Sequence, residues 1–180
     1  MTRPRTRSVL GGLCTSLIVL VLGCGSNGQE PTWPDVERDI RKRWPKVRQI
    51  STVRLAEMLT TSGNVVLVDV REPREFAISH LPGARSFPEG ADLGPRLQDV
   101  ANSSAIVLYC SVGVRSARAA AALGPTVGPA PVYSLTGSIF AWANEGRPLQ
   151  GAKGEPAHLV HPFDASWQRL LRPERRAPLD

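Results

Sequence analysis

Between Val47 and Leu149 short apolar runs alternate with amphipathic stretches. Ser51 is placed to cap a helix running through Leu59, with Leu55, Met58 and Leu59 on one face. Asn64 to Val70 is a nearly unbroken β-branched run, the pattern of a strand covered on both faces. Pro73 to Ser79 reads as a short helix, His80-Leu-Pro-Gly83 as a turn, and Pro95 to Ala101 as another helix. Ala105 to Tyr109 is a second buried strand, and a loop from Cys110 leads into an Ala-rich helix from Arg115 to Leu123. Val132 to Leu135 forms one more strand, and Ser138 to Glu145 a helix closed by Gly146. Short apolar strands alternating with helices predict an α/β domain, with a mostly parallel central sheet and helices on both faces.

The flanks read differently. Arg3, Arg5 and Arg7 precede an apolar stretch from Val9 to Leu22 that ends in Gly23-Cys24, the layout of a secretory signal peptide over residues 1–23. Its apolar part, interrupted by Gly11 and Gly12, falls short of the roughly 20 residues of a stable span. Val21-Leu22-Gly23-Cys24 also resembles the lipobox of bacterial lipoproteins, which implies cleavage before Cys24 and its lipidation. The alternative is an unmodified Cys24 beside a different cleavage site. Residues 24–46 then form a tether, Gly25 to Pro34, and a short basic helix from Asp35 to Trp44 stopped by Pro45. Its Arg41, Lys42 and Arg43, with Lys46 and Arg48, either meet anionic headgroups or form a solvated face. The expected domain spans 47–149. In the C-terminal extension, 150–180, Gly151 to Pro156 is linker-like; Leu159, Phe163, Trp167, Leu170 and Leu171 suggest a segment packing back, against the alternative of a partly disordered tail.

Composition narrows the function. The 180 residues hold one core, and 42% hydrophobic with 21% charged residues suits a globular body. The sequence pI is about 9.9. Three of the 22 basic residues and none of the 16 acidic ones lie in the signal, however, so 19 bases face 16 acids after cleavage. Without a basic patch interleaved with aromatics, no nucleic-acid partner is expected. Cys14 leaves with the signal and Cys24 carries lipid, so Cys110 is the one thiol left in an oxidising compartment, and no internal disulfide is expected. His158 and His161 lack partner ligands, so neither a metal nor a cofactor is called for.

Cys110 lies where a strand runs into Cys110-Ser-Val-Gly-Val-Arg115-Ser116 and a helix begins. Amides at a helix start point at one spot with the positive end of the helix dipole. A thiol held there ionises more readily, and Arg115 adds a charge. Gly113 allows the backbone to curve with its amides inward. The expected product is a nucleophilic thiolate in an anion-binding cradle.

These residues resemble the single-domain rhodaneses, a sulfurtransferase family. Leu67-Val-Asp-Val-Arg71, Glu75-Phe76 and His80-Leu-Pro-Gly-Ala84 are similar to its amino-terminal motif, and Leu135-Thr-Gly-Ser-Ile-Phe-Ala-Trp142 with Gly146-Arg-Pro148 to its closing motif. Ser79 and Ser138 stand where the family commonly has Gly. The resemblance implies that Cys110 carries a persulfide, that Ser111, Val112, Gly113, Val114, Arg115 and Ser116 hold it, and that Arg115 orients an anionic donor. It also implies supporting positions at Asp69, Arg71, Glu75 and His80, with a small sulfur donor such as thiosulfate and a thiol or cyanide acceptor as partners.

Related phosphatases and arsenate reductases space Cys and Arg by five residues, for a tetrahedral oxyanion; here four intervene, as suits one sulfur atom. Sulfur transfer also needs little proton transfer. The other readings are a non-catalytic, envelope-anchored binding module and, less favoured, a Cys-dependent phosphatase or arsenate reductase. With the lipobox, the expected location is the bacterial cell envelope, lipid-anchored to a membrane and facing the periplasm or cell exterior.

Overall fold

The computed structural model describes residues 30–179 apart from 62 and 101. The expected signal peptide, Cys14, Cys24 and most of the tether lie outside the described residues. Helix α1 (Trp33–Arg43) starts on the Thr32 cap; then come β1 (Gln49–Ile50), α2 (Thr52–Thr61) and β2 (Val65–Asp69). Ser51 caps α2 as its position predicts, its Oγ accepting the Arg54 N–H at 3.1 Å. Next are α3 (Pro73–Ile78), β3 (Arg85–Ser86), α4 (Leu93–Arg96), β4 (Ala105–Tyr109) and α5 (Val114–Leu123). The chain continues through β5 (Thr126–Val127), β6 (Ala130–Leu135), α6 (Ser138–Asn144), β7 (Leu149–Gln150) and β8 (Pro156–Ala157).

The central sheet runs β1-β6-β4-β2-β3 with all these pairings parallel, and β5 adds to β6 antiparallel. Every residue of β4 is buried, because helices cover both faces. Leu67, Val107 and Tyr109 face a core shared with Val36 and Ile40 of α1, Leu55 of α2 and Phe140 of α6. Val68, Ile106 and Leu108 face the opposite core, with Leu93 of α4 and Ala120 of α5. Parallel strands bring the segments after β2, β4 and β6 to one edge of the sheet, where α/β folds build their sites.

Two expectations change and a third is met. The helix predicted from Pro95 to Ala101 starts earlier, at Leu93, because proline is accommodated only in a first turn; it then gives way to a 3₁₀ turn at Gln98–Val100. The stretch read as a linker, Gly151 to Pro156, is the bend of the β7–β8 hairpin and the first residue of β8, closed by Gly151 N–H to Glu155 C=O at 2.8 Å. The extension packs back. Val160 donates to Arg175 C=O at 2.7 Å, Ala177 donates to Val160 C=O at 2.9 Å, and Leu170 and Leu171 are buried. Asn144 holds the segment at Leu170 C=O and Arg172 N–H. Leu159, 42% exposed, takes no part in that packing.

Candidate active site

β4 delivers Cys110 at the sheet edge, and the thiol residue is 1% exposed. Gly113 stands at the head of α5 with φ +114, a conformation that side chains rarely adopt, and a Cβ there would come within 3.0 Å of Ile40 Cδ1. Its N–H donates to Cys110 Sγ at 3.1 Å. The first turn-to-turn bond of α5 is Ala117 N–H to Gly113 C=O, so the amides of Val114, Arg115 and Ser116 precede the helical ladder. Ser116 Oγ donates to Gly113 C=O at 3.1 Å and shares a bond with Ser134 Oγ at 3.0 Å, fixing the turn from below. Val112 anchors the loop in the core. Ile139 N–H donates to Cys110 C=O and Phe140 N–H to Ser111 C=O, both at 3.1 Å, so the start of α6 also grips the loop.

α3 contributes Glu75. Pro73 opens this helix, and Glu72 and Glu75 close a capping box, with Glu72 N–H donating to Glu75 Oε2 at 3.0 Å. The Glu75 carboxylate, 1% exposed, accepts from Arg115 Nη1 at 2.7 Å, Arg115 Nη2 at 2.8 Å and Ser111 Oγ at 3.1 Å. Arg115 Nη2 also donates to Ser111 Oγ at 3.0 Å. Burial raises the Glu75 carboxyl, but the Arg115 hydrogen bonds and charge outweigh it and hold it below the usual carboxylate range. Burial likewise lowers Arg115, while Glu75 and the nearby Cys110 raise it above its ordinary value. Arg115 is therefore no free cation awaiting an anionic donor: its charge is balanced by Glu75, and what remains aimed at the sulfur is the positive end of α5 with the Gly113 amide.

Phe163 covers the pair. Its ring lies 4.6 Å from the Arg115 guanidinium, a cation–π contact. Phe163 has φ +71, unusual for a bulky residue, and its N–H donates to His161 Nδ1 at 3.0 Å. The sequence marks Phe163 only as an apolar residue of the extension, and no local signal ties it to Arg115, 48 residues away.

Asp69 and Arg71 form a separate, fully buried pair. Arg71 Nε donates to Asp69 Oδ1 at 2.9 Å, Nη2 to Asp69 Oδ2 at 2.6 Å, and Nη2 to Ser79 C=O at 2.6 Å, which fastens the end of β2 to the end of α3. Burial opposes the Arg71 charge, but Asp69 more than compensates and raises it above its ordinary value. His80 is a corner post: its ring stacks on Phe76 at 3.8 Å, Nδ1 bonds Phe76 C=O, and its backbone N–H donates to Gln150 C=O at 2.8 Å. Of the four supporting positions, the structure brings Glu75 alone into direct contact with loop side chains; Asp69, Arg71 and His80 brace its surroundings.

Known proteins are similar to this chain in sequence and fold. A sulfurtransferase of Allochromatium vinosum is 35% identical over 109 residues, which is 60% of this chain and 99% of that protein. The thiosulfate:glutathione sulfurtransferase of Saccharomyces cerevisiae is 32% identical over 99 residues, 46% of this chain and 68% of its own. A crystal structure of thiosulfate sulfurtransferase from Pseudomonas aeruginosa shares the fold, with TM-score 0.56 and 18% identity over 75% of this chain and 25% of that one. Residues 51–145, from the cap of α2 to the end of α6, match the rhodanese-like domain, and the chain belongs to the rhodanese-like family.

Proposed function

We propose that the protein is a sulfurtransferase that carries a sulfane sulfur on Cys110, taking it from a donor such as thiosulfate and passing it to a thiol or cyanide. The observation that carries this reading is the Gly113 amide bonded to Cys110 Sγ at the head of α5, inside a loop with four residues between Cys110 and Arg115. The Cys110 thiolate attacks the outer sulfur of thiosulfate; its S–S bond breaks and sulfite leaves with the bonding pair. The transferred atom stays as Cys110–S–S⁻, its charge facing amides and the helix dipole. An acceptor thiolate or cyanide then attacks that outer sulfur, the Cys110 thiolate departs, and a hydropersulfide or thiocyanate is released. No proton moves at the sulfur in either step once both nucleophiles are ionised, which agrees with a site whose ion pair is already neutral.

Intact mass spectrometry tests this. The parent should gain one sulfur atom on exposure to thiosulfate and lose it to cyanide or a thiol, and Cys110→Ser should gain none while keeping its fold. Appreciable aryl phosphatase turnover by the parent without sulfur uptake would overturn the reading.

The lipobox-like run supports a second part of the proposal: residues 1–23 are removed, Cys24 is lipidated, and the domain is held at a membrane of the bacterial envelope. Cys24→Ser should move the protein from the membrane to the soluble fraction, and an unchanged distribution would refute the anchor.

A further inference from the structure

We infer that Ser138, at the start of α6, is a positioning residue for Cys110. The inference rests on the sulfurtransferase reading for its kinetic consequence, and its geometry stands apart from that reading. Ser138 is fully buried and has φ +50, following Gly137 at φ +68, so two successive residues adopt the left-handed conformation where the chain turns from β6 into α6. Glycine fits there without penalty, whereas a Cβ crowds the carbonyl that follows it.

The hydroxyl explains what holds serine in place. Ser138 Oγ donates to Leu135 C=O at 3.1 Å and accepts the Cys110 N–H at 3.1 Å. The second bond joins residues 28 apart, so it bridges two loops at the sheet edge. Together with Ile139 N–H on Cys110 C=O, it leaves both backbone polar groups of Cys110 engaged by two consecutive residues at the start of α6. Serine supplies the first of these bonds through a side chain that glycine lacks.

The consequence is directional. With its own amide held by Ser138, Cys110 cannot rotate that peptide toward its sulfur, and Sγ keeps its orientation toward Gly113 N–H at 3.1 Å. A misaimed nucleophile loses much of its advantage even when every charge in the site is kept. The Ser138 hydroxyl bonds the Cys110 amide and the Leu135 carbonyl and not the sulfur, so its effect is on the loading rate through Cys110 geometry.

Two variants of the full chain separate this role from simple strain relief. Ser138→Gly keeps the left-handed backbone comfortable while removing both hydroxyl bonds; Ser138→Ala removes them and retains the Cβ. In Ser138→Gly the thermal midpoint should stay within a few degrees of the parent. Its Cys110 amide should lose protection from hydrogen exchange, and single-turnover loading at saturating thiosulfate should slow about tenfold, the effect of one lost hydrogen bond. The half-saturating donor concentration should be unchanged. Ser138→Ala should share the slow loading with a lower midpoint. If Ser138→Gly loads at the parental rate, or restores the rate that Ser138→Ala loses, the hydroxyl merely offsets backbone strain and the inference fails. Alkylation of Cys110 by iodoacetamide and the amide exchange are read alongside. A parent that takes up no sulfur refutes the sulfurtransferase reading; parental alkylation and protection in Ser138→Gly would then refute the role of Ser138 as well.

Discussion

Two Arg–carboxylate pairs lie a few residues apart in this sheet edge and do different work. Asp69–Arg71 is formed within three residues at the end of β2 and is wholly buried, and its extra bond goes to Ser79 at the end of α3. Glu75–Arg115 joins positions 40 apart, keeps the guanidinium side chain 13% exposed, and includes Ser111 of the Cys110 loop. The first pair therefore fixes where an element ends, while the second fixes the loop that carries Cys110. Residue type does not separate them; the elements they connect do.

The largest expected effect is on stability, from the deeper pair. Asp69→Asn leaves a buried guanidinium without its counter-charge and should cost about 3–5 kcal/mol, read by denaturant unfolding. Sulfur loading per folded molecule should change little. A larger loss of loading than of stability would erase the distinction between the pairs.

Glu75→Gln should show the reverse balance. Loss of the charge-assisted bonds should lower stability by about 1.5–3 kcal/mol, and freeing Arg115 and Ser111 should slow sulfur loading roughly tenfold or more. The same pair predicts a pH dependence. Glu75 ionises more readily in the folded protein than its ordinary 4.5, so in acid the unfolded chain binds more protons than the folded one. The stabilisation is complete above about pH 4.5 and is lost as pH falls further, through the folded-state value. Unfolding measured from pH 6 to pH 3 should show this loss in the parent and a weaker one in Glu75→Gln.

The smallest effect belongs to Phe163. Removing the ring from the Arg115 guanidinium in Phe163→Ala should cost about 1 kcal/mol and change loading only a few-fold, because Glu75 still holds Arg115. Loss of loading comparable to Glu75→Gln would make the extension an equal partner in the site.

The sequence by itself determined the alternation of strands and helices, because β4 is an unbroken apolar run and α5 opens directly behind it; it also singled out Cys110 as the proposed sulfur carrier, since strand, loop and helix start are contiguous. Local patterning carries such information because 2.0 and 3.6 residue periods and turn residues act over a few positions. It missed the two-residue strands β1, β3, β5, β7 and β8, which are too short for any period and exist through their partners. Only the tertiary structure decided that Arg115 is spent on Glu75, that Phe163 from beyond the family domain lies over that pair, and that Ser138 holds the Cys110 amide. Each of those contacts joins residues 28 to 48 positions apart, and the partner of a charge or hydroxyl is chosen by which elements the folded sheet edge brings together.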